Sequence, residues 1–255
     1  MKFRTYGDPT LPAILLIHGA TWAGAYLLQA ERLQHRYHVI LPILDGHGGE
    51  PTIYASSERS ADDLLAYIDE RHAGKIFALC GVSLGGQIVA ELLSRRERIA
   101  DFAITDGSCW IPQPQMLRYA RPLLPLHWAL ERTGLPGRLG NRGIAPEHRM
   151  PEPMLRLYLQ QIKTFRRRTS LAIFDSYFAY ALKDSIRNCK TRVLCFYAGK
   201  EHKAIRESAR LLCSLVPRSE CAELPGYVHG ELSVHRPDEW IERAEDFWSA
   251  SEIAL

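Results

Sequence analysis

The 255-residue sequence has no apolar run long enough to cross a bilayer, no internal repeat and no low-complexity tract. The run Ala13 to Ile17 is too short for a span, and Met1-Lys2-Phe3-Arg4 opens no apolar stretch of the length a secretory signal needs. A cytoplasmic protein without membrane contact is therefore expected. The six cysteines (Cys80, Cys109, Cys189, Cys195, Cys213, Cys221) contain no Cys-x-x-Cys pair and no zinc-type spacing. Cys80 and Cys195 fall in apolar runs, where a reduced thiol behaves as a small hydrophobe. No metal is expected. Gly46-His47-Gly48-Gly49 lacks the lysine of a Walker loop, so no nucleotide phosphate site is implied. The formal charge of +3 is too mild to point to nucleic acid. Its distribution is uneven: Ile111 to Lys190 carries fourteen Lys/Arg against five Asp/Glu, so the basic excess belongs to one central segment.

What is present is an alternation of short apolar runs with longer amphipathic stretches, the pattern of a mostly parallel sheet flanked by helices. Strands are predicted at 3–6, 13–17, 38–41, 76–80, 102–105, 193–197 and 221–224. Helices are predicted at 24–34, 57–71, 84–95, 204–215 and 237–249. The alternation stops between Trp110 and about Asn188, a segment with eight prolines, a long helical stretch from Met154 to about Ala181 and no evident strand. The α/β core is accordingly placed at 1–110 and 189–255, with 111–188 as a helical cap or lid. In parallel sheets ligands bind beyond the carboxyl ends of the strands, where such an insert would lie.

The chemistry gathers at those ends. Gly81-Val82-Ser83-Leu84-Gly85-Gly86 stands between a strand and a helix, and glycines two residues either side of a serine suit a turn too tight for side chains. Such a turn holds a nucleophilic hydroxyl out at the sheet's edge. The serine alone could equally cap the helix; its setting strengthens the catalytic reading. A nucleophile also needs an oxyanion hole, a base and an orienting acid. The N–H of Ala20, in His18-Gly19-Ala20-Thr21-Trp22 after the second strand, could pair with that of Leu84 for the first; His18 itself reads as a loop-holding residue. His229, just beyond the last strand and the Pro225-Gly226 turn, is the expected base, whereas His235 reads as a surface residue. The acid is Glu201, in Ala198-Gly199-Lys200-Glu201-His202, or Asp106; both follow strands that precede His229, so strand position does not separate them. Trp22 and Trp110 are the expected substrate contacts. Arg166-Arg167-Arg168 reads as a solvated helix face rather than a carboxylate clamp.

Together these residues resemble the α/β-hydrolase superfamily over nearly the whole chain. The family's order of serine, acid and histidine is matched by Ser83, Glu201 and His229. Its His-Gly-x oxyanion loop resembles His18-Gly19-Ala20, and its Gly-His-Gly loop resembles Gly46-His47-Gly48. The family's cap insertion point lies where the strandless segment begins, after Asp106-Gly107. Two departures are visible: Ala198 stands where glycine is common, and Glu201 where aspartate is, which keeps Asp106 open. The resemblance implies an α/β-hydrolase fold with a helical cap, no cofactor, and a serine hydrolase acting on a small carboxylic ester or related acyl bond. Two other activities are compatible with it. One is a C–C bond hydrolase or lyase acting on a β-diketone-like or cofactor-precursor substrate. The other is a non-hydrolytic small-molecule binding protein or receptor. An aspartate-nucleophile branch is disfavoured by Ser83, and a hydroxynitrile-lyase branch by Gly230-Glu231 after His229, where that branch has lysine.

Overall fold

The computed structural model describes residues 1–250. Seven strands, β1 (Lys2–Tyr6), β2 (Ala13–Ile17), β3 (His38–Ile43), β4 (Ile76–Val82), β5 (Ala100–Asp106), β6 (Arg192–Ala198) and β7 (Ser219–Leu224), form one sheet in the order β1-β3-β2-β4-β5-β6-β7. All seven expected strands are present. All neighbours are parallel except β1, which runs antiparallel to β3 with Lys2 opposite Ile43 and Tyr6 opposite Val39.

The central strands read as unbroken apolar runs because both faces are covered. Leu15, Ile17, Leu79 and Ala103 point into one core, while Ile14, Leu16, Ala78, Cys80 and Ile104 point into the other. The first core is closed by α2 (Ser57–His72), α3 (Leu84–Arg95) and α8 (Lys203–Leu215), the second by α1 (Leu27–Leu33) and α10 (Pro237–Ser249). In α3 every residue except Arg95 is buried. The Ser56 hydroxyl caps α2 by accepting from the Arg59 N–H at 3.1 Å, satisfying one of the free donors of its first turn.

Between β5 and β6 the described residues contain helices and loops but no strand: α4 (Leu124–Glu131), α5 (Leu135–Gly143), α6 (Glu152–Thr164), α7 (Arg167–Ala179) and shorter turns. The long helix expected from Met154 is two helices. Phe165 and Arg166 take extended conformations between them. Trp128 Nε1 donates to the Phe165 carbonyl at 2.9 Å and Arg166 donates to the Pro51 carbonyl at 2.8 Å, so tertiary partners replace the helical ones at the break. The last part of this segment packs into the core. The Tyr180 hydroxyl donates to Glu91 at 2.9 Å, and Ile186 is fully buried. Cys80 and Cys195 are free and buried, as expected, and so are Cys109 and Cys189, whereas Cys213 on α8 and Cys221 on β7 are disulfide-bonded, with Cα atoms 6.4 Å apart. An eight-residue spacing gave no sign of that pair. Among the described residues no helix is long and apolar enough to cross a membrane.

Candidate active site

Ser83 joins β4 to α3 at φ 55°, ψ −113°, one of only two described non-glycine residues with positive φ. Its backbone is held from both sides. The Ser83 N–H donates to the Asp106 carbonyl at 2.7 Å, and its own carbonyl accepts from the Ser108 hydroxyl at 2.7 Å and from the N–H groups of Gly86 and Gln87. A Cβ at Gly81 would strike the backbone of Gly85, and one at Gly85 would strike the carbonyl of Ile17. Those two glycines let α3 start hard against the sheet.

The Ser83 Oγ lies 3.1 Å from His229 Nε2. On the ring's other side, Nδ1 lies 3.0 and 3.1 Å from the two carboxylate oxygens of Glu201. With Nδ1–H donating to Glu201, the Nε2 lone pair is left facing the serine hydroxyl. The His229 ring is half exposed, whereas the Glu201 carboxylate is buried. Burial works against the charged imidazole, but the Glu201 hydrogen bond and charge, aided by Asp106, outweigh it and raise the His229 pKa above its ordinary 6.5. The two loops are laced together: Gly199 N–H donates to the Leu224 carbonyl and Lys200 N–H to that of Tyr227. The Glu231 carboxylate accepts from the Val228 N–H at 3.0 Å and pairs with Arg236 at 2.8 Å, bracing the segment that carries His229.

Asp106 is in a different place. It is fully enclosed and accepts from the Ser233 hydroxyl at 2.6 Å and the Ser233 N–H at 3.3 Å, with no hydrogen bond to His229. Burial raises its carboxyl to about 6, against the hydrogen bonds of Ser233 that favour the charged form. Of the two candidate acids, the structure brings Glu201 to the histidine.

The oxyanion candidates also converge. Neither the Ala20 N–H nor the Leu84 N–H has a hydrogen-bond partner among the described residues, and Leu84, at the start of α3, has none available within the helix. The Gly19 backbone lies against Ser83, where an added Cβ would sit 3.6 Å from that of the serine. His47 Nε2 donates to the Ala20 carbonyl at 2.8 Å, and His18 Nε2 accepts from the Leu44 N–H at 3.1 Å. Both rings are buried and hold the loop that carries Ala20 rather than face the cavity; burial drops the His18 pKa to about 3.

Ser83 and His229 border two cavities. The first, about 440 Å³, is walled by Trp22, Tyr158 and Leu155 and reaches the Ala20 loop. The second, about 450 Å³, is walled mainly by Met116, Tyr177, Phe178 and Ile205. Trp22 therefore stands where a substrate contact was expected. Trp110 does not. It is 1% exposed, its N–H donates to the Ser208 hydroxyl at 2.9 Å, and it fills the core beneath α3. An aromatic residue just after a strand end can point under the sheet's edge as easily as over it. His235, expected on the surface, is partly buried and lines the first cavity. Gly107 was passed over: at φ 60° it leaves space that a Cβ would fill 2.7 Å from Glu201 Oε1 and 3.1 Å from His229 Nδ1. The sequence signal was the Asp106-Gly107 pair after a strand. His47 and Glu231 were missed as braces because their partners are remote backbone and an arginine five residues on. Among the described residues no group of three His, Cys, Asp or Glu could hold a metal ion.

A strand-end Ser–His–carboxylate relay on a sheet with one antiparallel edge strand defines a class. The sequence profile described as the alpha/beta hydrolase family matches residues 14–244, and the chain belongs to that family. A curated relative from Gibberella zeae, an AB hydrolase superfamily protein, is 34% identical over 106 residues, which cover 39% of this chain and 36% of that one. The match thus spans about a third of that relative's length. Among solved structures, an alpha/beta hydrolase family protein from Desulfitobacterium hafniense superposes with TM-score 0.78 at 21% identity, covering 96% of this chain and 99% of that one. A thermophilic esterase from Thermogutta terrifontis gives TM-score 0.74 at 19% identity, covering 96% and 92%. At these identities the structural likeness is one of fold.

Proposed function

We propose that this protein is a serine hydrolase of small carboxylic esters, working through an acyl-enzyme on Ser83. The observation that carries the reading is the continuous relay Glu201–His229–Ser83 beside two unpartnered N–H groups. His229 Nε2 takes the Ser83 proton as Oγ attacks the ester carbonyl, and Glu201 stabilises the resulting imidazolium. The Ala20 and Leu84 N–H groups receive the developing oxyanion. Losing one such donor typically costs about 10²–10³ in turnover. His229 then gives its proton to the departing alcohol and accepts one from the water that cleaves the acyl-enzyme. The two cavities on either side of Ser83 suit a substrate with an arm on each side of the scissile bond, and helices α4 to α6 serve as the cap over the first. The esterase likeness at the level of fold is consistent with this chemistry.

The test is hydrolysis of p-nitrophenyl esters of graded chain length by wild type and Ser83→Ala, alongside labelling by a fluorophosphonate. Expected is stoichiometric labelling of Ser83 and turnover that vanishes in the variant. A well-folded wild type that stays unlabelled, with both proteins at the background rate, refutes the proposal.

A further inference from the structure

The first cavity carries a charge that the relay does not use. Glu131, the last residue of α4, lines it together with Ser83 and His229. Its carboxylate makes no hydrogen bond among the described residues, and its single ionic neighbour is the exposed His127, whose Nε2 lies 3.9 Å away. No lysine or arginine lines this cavity, so Glu131 is its one fixed charge; the ionisable groups beside it are His229, His235 and Tyr158. The basic excess of the segment between β5 and β6 stays outside. Arg132, next in sequence, stacks on Trp128 at 4.9 Å, and Arg166 bonds the Pro51 carbonyl.

The wall beside Glu131 is aromatic. Trp22 and Tyr158 meet edge to face with centroids 5.9 Å apart. Tyr158 is fixed from behind by α5, where Gly137 comes so close that a Cβ would enter the ring. The Tyr158 hydroxyl is pushed up by burial and then by the Glu131 charge, and both residues line the same cavity. Burial raises the Glu131 carboxyl above its ordinary range, with His127 opposing only weakly. A cation brought alongside would reverse that shift. A lone carboxylate that shares an otherwise uncharged cavity with two aromatic side chains suits an alkylammonium group, by ion pairing and by attraction to aromatic rings.

We propose that Glu131, with Trp22 and Tyr158, forms an ammonium subsite, and that the preferred substrates are esters whose arm in the first cavity ends in an amine or quaternary ammonium. This rests on the serine hydrolase reading of the same site. The second cavity, walled by Met116, Tyr177, Phe178 and Ile205, then takes the apolar arm.

The experiment uses two matched pairs of esters on the full chain. In one pair the acid arm ends in trimethylammonium or in its uncharged tert-butyl isostere; in the other pair the alcohol arm does. The ratio of kcat/KM for cation over isostere is expected to reach about tenfold or more in one pair, and to fall towards unity in Glu131→Gln. Binding of the same ammonium ester to Ser83→Ala, followed by titration calorimetry, is expected to weaken by a similar factor when Glu131→Gln is added. Hydrolysis of all four esters with a ratio near one in wild type overturns the subsite and leaves the hydrolase reading standing. A ratio that Glu131→Gln leaves intact, both esters slowing in parallel, overturns it as well. Selective, Glu131-dependent binding without turnover of any ester supports the subsite and refutes the hydrolase reading.

Discussion

Replacing Glu201 by glutamine separates the two acids that the sequence leaves open. Both carboxylate oxygens face His229 Nδ1 at about the same distance, 3.0 and 3.1 Å, and the group is buried while the ring is half exposed. Glutamine keeps the shape but removes the charge that stabilises imidazolium. If its amide nitrogen turns to Nδ1, the ring adopts the other tautomer, Nε2 carries the hydrogen, and Ser83 has no proton acceptor. An aspartate-to-asparagine change of this kind costs about 10⁴ in a serine protease. Here water can reach the half-exposed ring and replace part of the lost interaction, so the expected loss in kcat is about 10³, or about 4 kcal/mol of transition-state stabilisation.

The pH profile gives a second readout. His229 acts as a base only when neutral, and Glu201 raises its pKa above 6.5, so the acid limb of kcat/KM in wild type is expected above pH 6.5. Glu201→Gln removes the interactions that raise it, so the limb moves to lower pH. Asp106→Asn is the control. Asp106 bonds Ser233 and reaches the ring only through its field, so the expected loss is less than about tenfold. The reasoning is refuted if Glu201→Gln stays within tenfold of wild type with its acid limb unmoved, or if folded Asp106→Asn loses as much.

Ser83→Gly should abolish ester hydrolysis and yet stabilise the fold. A non-glycine residue at φ 55°, ψ −113° stores about 1–3 kcal/mol, and glycine's greater unfolded-state freedom takes back about 0.5–1, for a net gain of about 1 kcal/mol in urea unfolding. A loss of stability would show that the turn is relaxed around serine. Asp106→Asn should change stability with pH in a definite direction. The folded carboxyl titrates at about 6 rather than the ordinary 3.8, so its contribution is fully present below about pH 4 and is lost as pH rises through 6. The variant should therefore gain on wild type by up to about 3 kcal/mol between pH 4 and 8, at about 1.4 kcal/mol per unit. A pH-independent difference would rule this out. Replacing Arg166, Arg167 and Arg168 together by glutamine should leave the salt dependence of turnover of an anionic ester unchanged, because none of them lines either cavity at Ser83. A flattened slope in the variant would show electrostatic steering by the run.

The sheet was legible because its strands are short, apolar and punctuated. Ile76 to Cys80 reads as a strand from burial on both faces, and the strand continues through Gly81 to Val82, just before Ser83. The antiparallel entry of β1 was not legible: a five-residue, largely exposed strand carries no direction, and only the pairing of Lys2 with Ile43 fixes it. At the site, Ser83 and His229 announce themselves through glycines and turn chemistry that serve backbone geometry. What separates Glu201 from Asp106 is remote in sequence: the hydroxyl of Ser233 bonds Asp106 and accepts from Tyr26, while Gln29 donates to the Ser233 carbonyl. The segment from Met116 to Gly143 was legible only as strandless. Its helices are short and proline-initiated, and apolar residues such as Leu126, Leu130, Leu135 and Leu139 stay exposed, so an apolar face there does not mark a buried one. Glu131 was invisible for the same reason, since a charged residue at a helix end is ordinarily solvated.

The site concentrates local costs on a rigid base. Ser83 is held at an unfavourable backbone geometry, Asp106 is a carboxyl enclosed in the core, and the Ala20 and Leu84 N–H groups lack partners. Each would relax if its surroundings could shift. They cannot shift independently, because β4 and α3 are buried almost throughout, Gly81 and Gly85 bring backbone against backbone with no soft side chain between, and Gly86 lies against the Ser108 side chain. Gln87 adds a cross-tie, donating to the carbonyls of Cys109 and Tyr177 and accepting from Ser57. The cap side is built differently. Gly134, just before α5, and Gly137 within it press against Leu159 and Tyr158 of α6, while Gly140 faces open space, so a side chain added at Gly140 meets nothing of the sheet. On the proposed reading, the rigid half fixes the reacting atoms and the opposite wall, open at Gly140, meets the substrate arm. They also predict where each can be changed: substitutions at Gly81 or Gly85 should cost the fold, whereas changes at Glu131 or Gly140 should redirect the choice of ester.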